Sequence, residues 1–173
     1  MAGETRQHAD GGGFTLRTAL RPGDIGWIVH RHGVLYAQEH GFDESFEAYV
    51  AGPLAAFARS PSPRDRLWLA ERRETFAGCI AVVGGSPLLA QIRWFLVEPS
   101  ARNAGLGTRL LRNAVQFCRE AGYGAVTLWT VSALAAAARL YETAGFARLE
   151  QRPGRRWGMD VVEERYELRL PGP

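Results

Sequence analysis

Arg102-x-x-Gly105-x-Gly107-Thr108 lies between an apolar run at residues 92–97 and a stretch in which Leu106, Leu110, Leu111, Ala114, Phe117, Cys118 and Ala121 share one helical face. A glycine-bearing turn at the start of a helix is suited to gripping a pyrophosphate. The first backbone N–H groups there lack intrahelical partners and the macrodipole is positive, while glycine lets a bulky anion approach the main chain. A second reactive group, the Tyr141 phenol, stands in Arg139-Leu140-Tyr141-Glu142-Thr143-Ala144-Gly145-Phe146. With an ordinary pKa of about 10 it is protonated at neutral pH and can return a proton to a thiolate of about 8.5. Leu134, Ala137, Ala138 and Tyr141 share a helix face, so packing is the alternative role for this tyrosine.

Two familiar phosphate loops do not fit the turn. A P-loop requires a lysine, and the chain contains none. A dinucleotide fingerprint requires a third glycine where Leu110 stands, and an acidic residue about twenty positions on that is missing. The remaining spacing, after a strand ending Val97-Glu98-Pro99, resembles the acetyl-CoA-binding motif of the GNAT N-acetyltransferases. Leu140-Tyr141-Glu142-x-x-Gly145-Phe146 is similar to that family's second signature, and the resemblance covers roughly residues 14–170. Arg31-His32-Gly33-x-Leu35-Tyr36, Val97-Glu98-Pro99 and Leu128-Trp129-Thr130 resemble, more narrowly, the acetyltransferase half of MarR–GNAT fusion proteins. Only thirteen residues precede Phe14, so the winged-helix half is expected to be missing.

The resemblance implies an N-acetyltransferase that moves an acetyl group from acetyl-CoA to a primary amine by direct attack. Main-chain N–H groups across Arg102, Asn103, Ala104, Gly105, Leu106, Gly107 and Thr108 would wrap the pyrophosphate, with Arg102 mainly shaping the loop. The Phe95 N–H would face the acetyl carbonyl, Val97 would pair with the pantetheine amides, and Leu134, Ala137 and Tyr141 would line the cofactor, with Tyr141 as general acid. Two positions depart from the family pattern. Leu134 stands where an asparagine often helps hold the cofactor, and Gln91 stands where some members carry a glutamate base.

Candidates for the base and the acceptor site therefore move to His30, His32, Tyr36, Glu39 and His40, and to Glu71 on a central strand, with a water chain as a further option. Steps of four residues put His32, Tyr36 and His40 near one side of a helix, where Gly33 is expected to loosen the coil. Such a wall of Tyr36, Glu39 and His40 suits a small amine or amino acid. A non-catalytic acyl-CoA-binding or sensor module is the alternative, suggested by Gln91 and Leu134.

These groups must be carried by the elements around them. A strand over residues 14–20, a helix capped by Asp24, a second helix from Asp43 or Ser45 to about residue 59, strands at 67–72, 76–83 and 92–97, the motif helix, a strand at 127–130, a helix over 133–144 capped by Ser132, and strands at 147–152 and 161–170 give the order βααβββαβαββ. That order fits an α+β (mixed α/β) fold, a twisted mixed sheet with helices on both faces. The 173 residues suit one domain over 14–173 behind a flexible polar tail at 1–13. Its 21 basic residues, all arginine, are scattered among 18 acids for a net +3, which argues against a nucleic-acid partner; Arg152 to Arg156 read as a basic loop. Cys79 and Cys118 fall in apolar patterns and read as buried reduced thiols. No metal-ligand cluster, membrane span or signal peptide is apparent, so a cytoplasmic location is expected, with homodimerisation open.

Overall fold

The computed structural model describes residues 7–10 and 13–171, with side chains described from residue 13 on. The described residues divide into two compact units, 7–10, 13–19, 63–126 and 170–171 in the first and 20–62 and 127–169 in the second.

In the first unit, β1 (Gln7–Asp10), β2 (Phe14–Arg17), β3 (Arg66–Arg72), β4 (Thr75–Gly84) and β5 (Leu89–Val97) pair with their neighbours in that order, all antiparallel. Strand β3 feeds β4 through Arg73 and Glu74, both at positive φ, as a two-residue hairpin with right-handed strand twist requires. A 3-10 turn, Pro99–Ala101, leads to α3 (Leu106–Glu120). Leu106, Leu110, Leu111, Ala114, Phe117 and Cys118 are buried as α3 packs on β4 and β5. The Phe117 ring meets Trp68 edge-on at 5.7 Å, and Arg109 donates to the Phe14 carbonyl at 3.0 Å. Cys79 and Cys118 are buried and unpaired with each other.

The second unit holds α1 (Asp24–His40), packed on α2 (Glu44–Arg59), then most of β6 (Ala125–Val131), α4 (Ala135–Thr143), β7 (Ala147–Arg156) and β8 (Met159–Arg169). Asp43 caps α2 by accepting from the Ser45 N–H at 3.0 Å. Strands β7 and β8 form a hairpin whose two-residue turn, Trp157-Gly158, has positive φ at both positions.

The expected order βααβββαβαββ is present, with corrections at its edges. The tail expected at 1–13 lies mostly outside the described residues; of the described part, Gln7–Asp10 pairs with β2, because an edge ladder uses main-chain groups and needs no apolar alternation. Asp24 does not cap α1. Gly23 does, at φ 98, and the Asp24 carboxylate accepts the Arg21 N–H. Ser132 does not cap α4 either: its N–H bonds the Val162 carbonyl at 2.9 Å, and the helix begins at Ala135 behind Leu134. Nor does Gly33 interrupt α1. It makes room for Glu47 of α2, whose Oε2 would lie 2.7 Å from a Cβ there. The basic segment at 152–156 is strand rather than loop, with Arg152 paired to Glu150, Arg155 to Asp160 and Arg156 to Glu163.

Candidate functional site

Glycine decides the geometry of the first unit's turn. Gly105 caps α3 at φ 77, a left-handed conformation that a side chain would strain, and no atom lies within 4 Å of where its Cβ would stand. Asn103 precedes it at φ 60, a region asparagine tolerates better than most residues. The first helical bond runs from Arg109 N–H to the Gly105 carbonyl at 3.0 Å, and no side chain caps the end. The N–H groups of Leu106, Gly107 and Thr108 thus begin the helix as its unbonded donors, beside exposed Arg102, Asn103, Ala104 and Thr108. Arg102 Nε donates to the Val97 carbonyl at 3.3 Å and ties the turn to the end of β5. An open, positively polarised cradle without a Cβ fits a pyrophosphate.

Upstream, β5 is bulged. Cys79 pairs with Leu96 and Ala81 with Arg93, so Trp94 and Phe95 stand opposite the single residue Ile80. Trp94 has φ 47, a conformation that costs a bulky residue about 1–3 kcal/mol and persists only where the surroundings impose it. The bulge breaks the ladder at Phe95. Gln91 pairs with Val83 before it, and Glu98 N–H rejoins the Ala77 carbonyl at 2.9 Å after it. Cys79 Sγ–H donates to the Trp94 carbonyl at 3.0 Å, and burial pushes that thiol's pKa far up. Also in this unit, Glu71 accepts from Arg17 Nε at 2.7 Å.

The second unit supplies aromatic side chains. On α1, His32 and Tyr36 stack with centroids 6.1 Å apart, and Tyr36 and His40 are 5.5 Å apart. His32 is buried and its Nδ1 lies 2.8 Å from the Ile28 carbonyl; since a carbonyl only accepts, Nδ1 carries the hydrogen. Exposed His30 has no place in this row, and Glu39 lies 3.9 Å from His40 at the rim. Three aromatic residues that the sequence reading did not select extend the wall: Phe46 at 4.4 Å and Phe42 at 5.6 Å from Tyr36, and Trp157 at 5.0 Å from both phenylalanines. A tryptophan in the turn position before Gly158 was the available signal. The Asp43 N–H bonds the Trp157 carbonyl at 3.0 Å, and Gly158 leaves space that the Asp43 carboxylate fills.

Tyr141 is buried on α4, 6.1 Å from Phe146 and 5.8 Å from Tyr166 between centroids, with Ala137 half-buried on the same helix and Leu134 half-buried at its N-cap. Burial, then the neighbouring phenols of Tyr36 and Tyr166, drive its pKa well above the usual tyrosine range. The close match to a thiol expected from the unperturbed value is therefore lost: this phenol stays neutral throughout the physiological range. Tyr166 donates to Glu164, a buried carboxylate that also accepts from Arg148 and Gln151. Among the described residues no group of three or more His, Cys, Asp or Glu could hold a metal ion, and no helix is long and apolar enough to cross a membrane.

The acetyltransferase (GNAT) family model matches residues 31–146, spanning the row on α1, the bulge, the turn and the Tyr141 segment. An uncharacterized N-acetyltransferase of Schizosaccharomyces pombe is 34% identical over 118 residues, 66% of this chain and 72% of that protein. N-acetyltransferase family 8 member 3 of Rattus norvegicus is 36% identical over 86 residues, but there the match spans only 38% of the relative. Among solved structures, a GNAT family acetyltransferase from Elizabethkingia anophelis with acetyl-CoA bound superposes with a TM-score of 0.66 at 17% identity, covering 91% of this chain and 99% of that one. A GNAT acetyltransferase from Staphylococcus aureus superposes with a TM-score of 0.71 at 16% identity, with the same coverage. These two share the fold. This chain belongs to the GNAT family of acetyl-CoA-dependent acetyltransferases.

Proposed function

We propose that this chain transfers the acetyl group of acetyl-CoA to the primary amine of a small molecule or amino acid by direct attack. The observation that carries the reading is the uncapped, glycine-started helix α3 following a bulged β5, which supplies main-chain donors for an anion and for a carbonyl in one segment. Acetyl-CoA supplies the thioester, an electrophilic carbonyl with a thiolate leaving group. The N–H groups from Arg102 to Thr108 hold the pyrophosphate, the Val97 main chain pairs with the pantetheine amides, and Leu134 and Ala137 line the cofactor. The Phe95 N–H stabilises negative charge developing on the carbonyl oxygen, a contribution of about 3 kcal/mol for a dry, preoriented donor.

Tyr141 is the general acid of this scheme. A phenol lifted so far by burial does not release its proton in advance, so the handover coincides with cleavage of the carbon–sulfur bond. Tyr36 and His40, with Phe46 and Trp157 behind them, hold the amine. Their stacking surface favours a compact acceptor over a long acidic peptide. With Gln91 in place of a carboxylate and Glu71 held by Arg17, the amine proton leaves through water or through Glu39 or His40.

Thiol release from acetyl-CoA, followed over a panel of small primary amines, amino acids and folded proteins, tests the reading. Amine-dependent release with a small acceptor is the expected result. Acetyl-CoA binding without release for any amine would instead identify a sensor module, and release with folded proteins only would remove the small-molecule assignment.

A further inference from the structure

Among the described residues, five non-glycine residues have positive φ, and of these Trp94 alone stands inside a strand; Arg73, Glu74, Asn103 and Trp157 are in turns. No hairpin geometry requires that conformation at Trp94, so its neighbours must impose it. The Cys79 thiol is the neighbour bonded to its carbonyl, at 3.0 Å from the adjacent strand.

The Trp94 carbonyl and the Phe95 N–H belong to one planar trans peptide and point in opposite directions. Whatever holds one end aims the other. We infer that Cys79 is a positioning residue for acetyl transfer: by donating its S–H to the Trp94 carbonyl, it locks the 94–95 peptide so that the Phe95 N–H faces away from β4, toward the acetyl carbonyl. The inference rests on the proposed role of that N–H.

Two further features fit the assignment. At Gly78, the residue before Cys79, a Cβ would meet the Leu96 carbonyl at 2.6 Å, so β5 returns tightly against β4 immediately after the bulge and leaves the peptide little room to swing. Cys79 is wholly buried, where a thiol is a small, weakly hydrated donor that accepts the loss of water more readily than a hydroxyl. Donation to the carbonyl also polarises the peptide and strengthens the N–H on its far side.

The test compares Cys79→Ala, which deletes the donor, with Cys79→Ser, which restores one. For Cys79→Ala, kcat should fall about 10-fold, part of the loss expected for an entire oxyanion donor, while the dissociation constant for acetyl-CoA stays within about twofold. Cys79→Ser should recover most of that kcat even where both variants melt at a lower temperature. A readout without turnover accompanies it. In the protein free of acetyl-CoA, the Phe95 amide resonance should move and exchange faster with solvent in Cys79→Ala, and return toward wild type in Cys79→Ser.

Unchanged kcat and an unmoved Phe95 amide in Cys79→Ala would overturn the inference. Should Cys79→Ala not fold, the wild-type S–H infrared band decides, assigned by difference against Cys79→Ser: a band at the position of an unbonded thiol refutes the contact, and a band lowered by hydrogen bonding supports it. Adding acetyl-CoA to the wild type separates the two layers. A Phe95 amide that does not respond removes the oxyanion assignment together with the inference, whereas one that responds while Cys79→Ala behaves as wild type removes the Cys79 role alone.

Discussion

The two units contribute unlike materials to the proposed chemistry. In the first unit the assigned contacts are main-chain groups: the N–H donors at the start of α3, the Phe95 N–H in the bulge of β5 and the Val97 main chain at its end. In the second unit the assigned contacts are side chains: Leu134 and Ala137, the Tyr141 phenol, and the rings of Tyr36, His40, Phe46 and Trp157. Main-chain donors recognise what is common to a cosubstrate and depend on glycine or strain to be presented. Side chains can be exchanged without rebuilding the backbone, so the second unit is where acceptor preference can vary while the first retains its grip.

Substitutions that damage one material should leave the other working. The largest effect is expected from Gly107→Val, which sets a branched side chain among the first donors of α3. Losing two or more charge-assisted hydrogen bonds to the pyrophosphate should weaken acetyl-CoA binding by at least about 100-fold, measurable by calorimetry, with the melting transition retained. Normal binding by that variant would remove the turn from the site. Next comes Tyr141→Phe, which keeps the ring and removes the proton. Single-turnover rates should drop roughly 10- to 1000-fold with acetyl-CoA affinity little changed. Wild-type rates would reduce Tyr141 to a packing residue.

Smaller changes should follow at the wall. Tyr36→Ala and His40→Ala each remove one ring contact and should raise the acceptor KM roughly 3- to 10-fold, leaving acetyl-CoA binding as it is. Equal losses in both affinities would mean that the variants disturb the fold rather than the wall.

The last effect is one of pH, absent near neutrality. Burial pushes Cys118 up to about 12 and moves Cys79 and Tyr141 upward as well. Each folded-state pKa then exceeds its unfolded value, so the unfolded chain loses protons first. Stability is complete below the ordinary thiol value of 9.0 and declines as pH rises through it, by about 1.4 kcal/mol per pH unit for each group once titrating. Urea midpoints between pH 8 and 10.5 should fall accordingly; a flat profile would show that these groups remain accessible to water.

Local pattern sufficed for much of the fold. The period of α3, with Leu106, Leu110, Leu111 and Ala114 on one face, and the Asp43 cap of α2 follow from rules that act within a few residues. Helix starts were less legible. Asp24 and Ser132 have the right chemistry for caps, but Gly23 takes the position in one case and the strand contact to Val162 claims Ser132 in the other. Strand β7 runs through Pro153 to Arg156, four residues past its expected end. An outer strand tolerates proline, and Arg156 is held by Glu163 on the facing strand.

The sequence by itself determined the turn, because Gly105 acts through its own backbone freedom and the helix it begins is encoded by its own apolar period. It also marked Tyr141 and the row His32, Tyr36 and His40, which a four-residue step brings together on one helix. Only the tertiary structure decided the bulge at Trp94, since nothing in Arg93-Trp94-Phe95-Leu96 calls for a left-handed residue and the pairing with Cys79 and Ala81 imposes it. It decided as well that Trp157 joins Phe42 and Phe46, and that Tyr141 is too deeply buried to keep an ordinary pKa. Contacts between residues far apart in the chain, and the water they exclude, leave no local trace in sequence, whereas a glycine in a turn or an apolar step of three and four does.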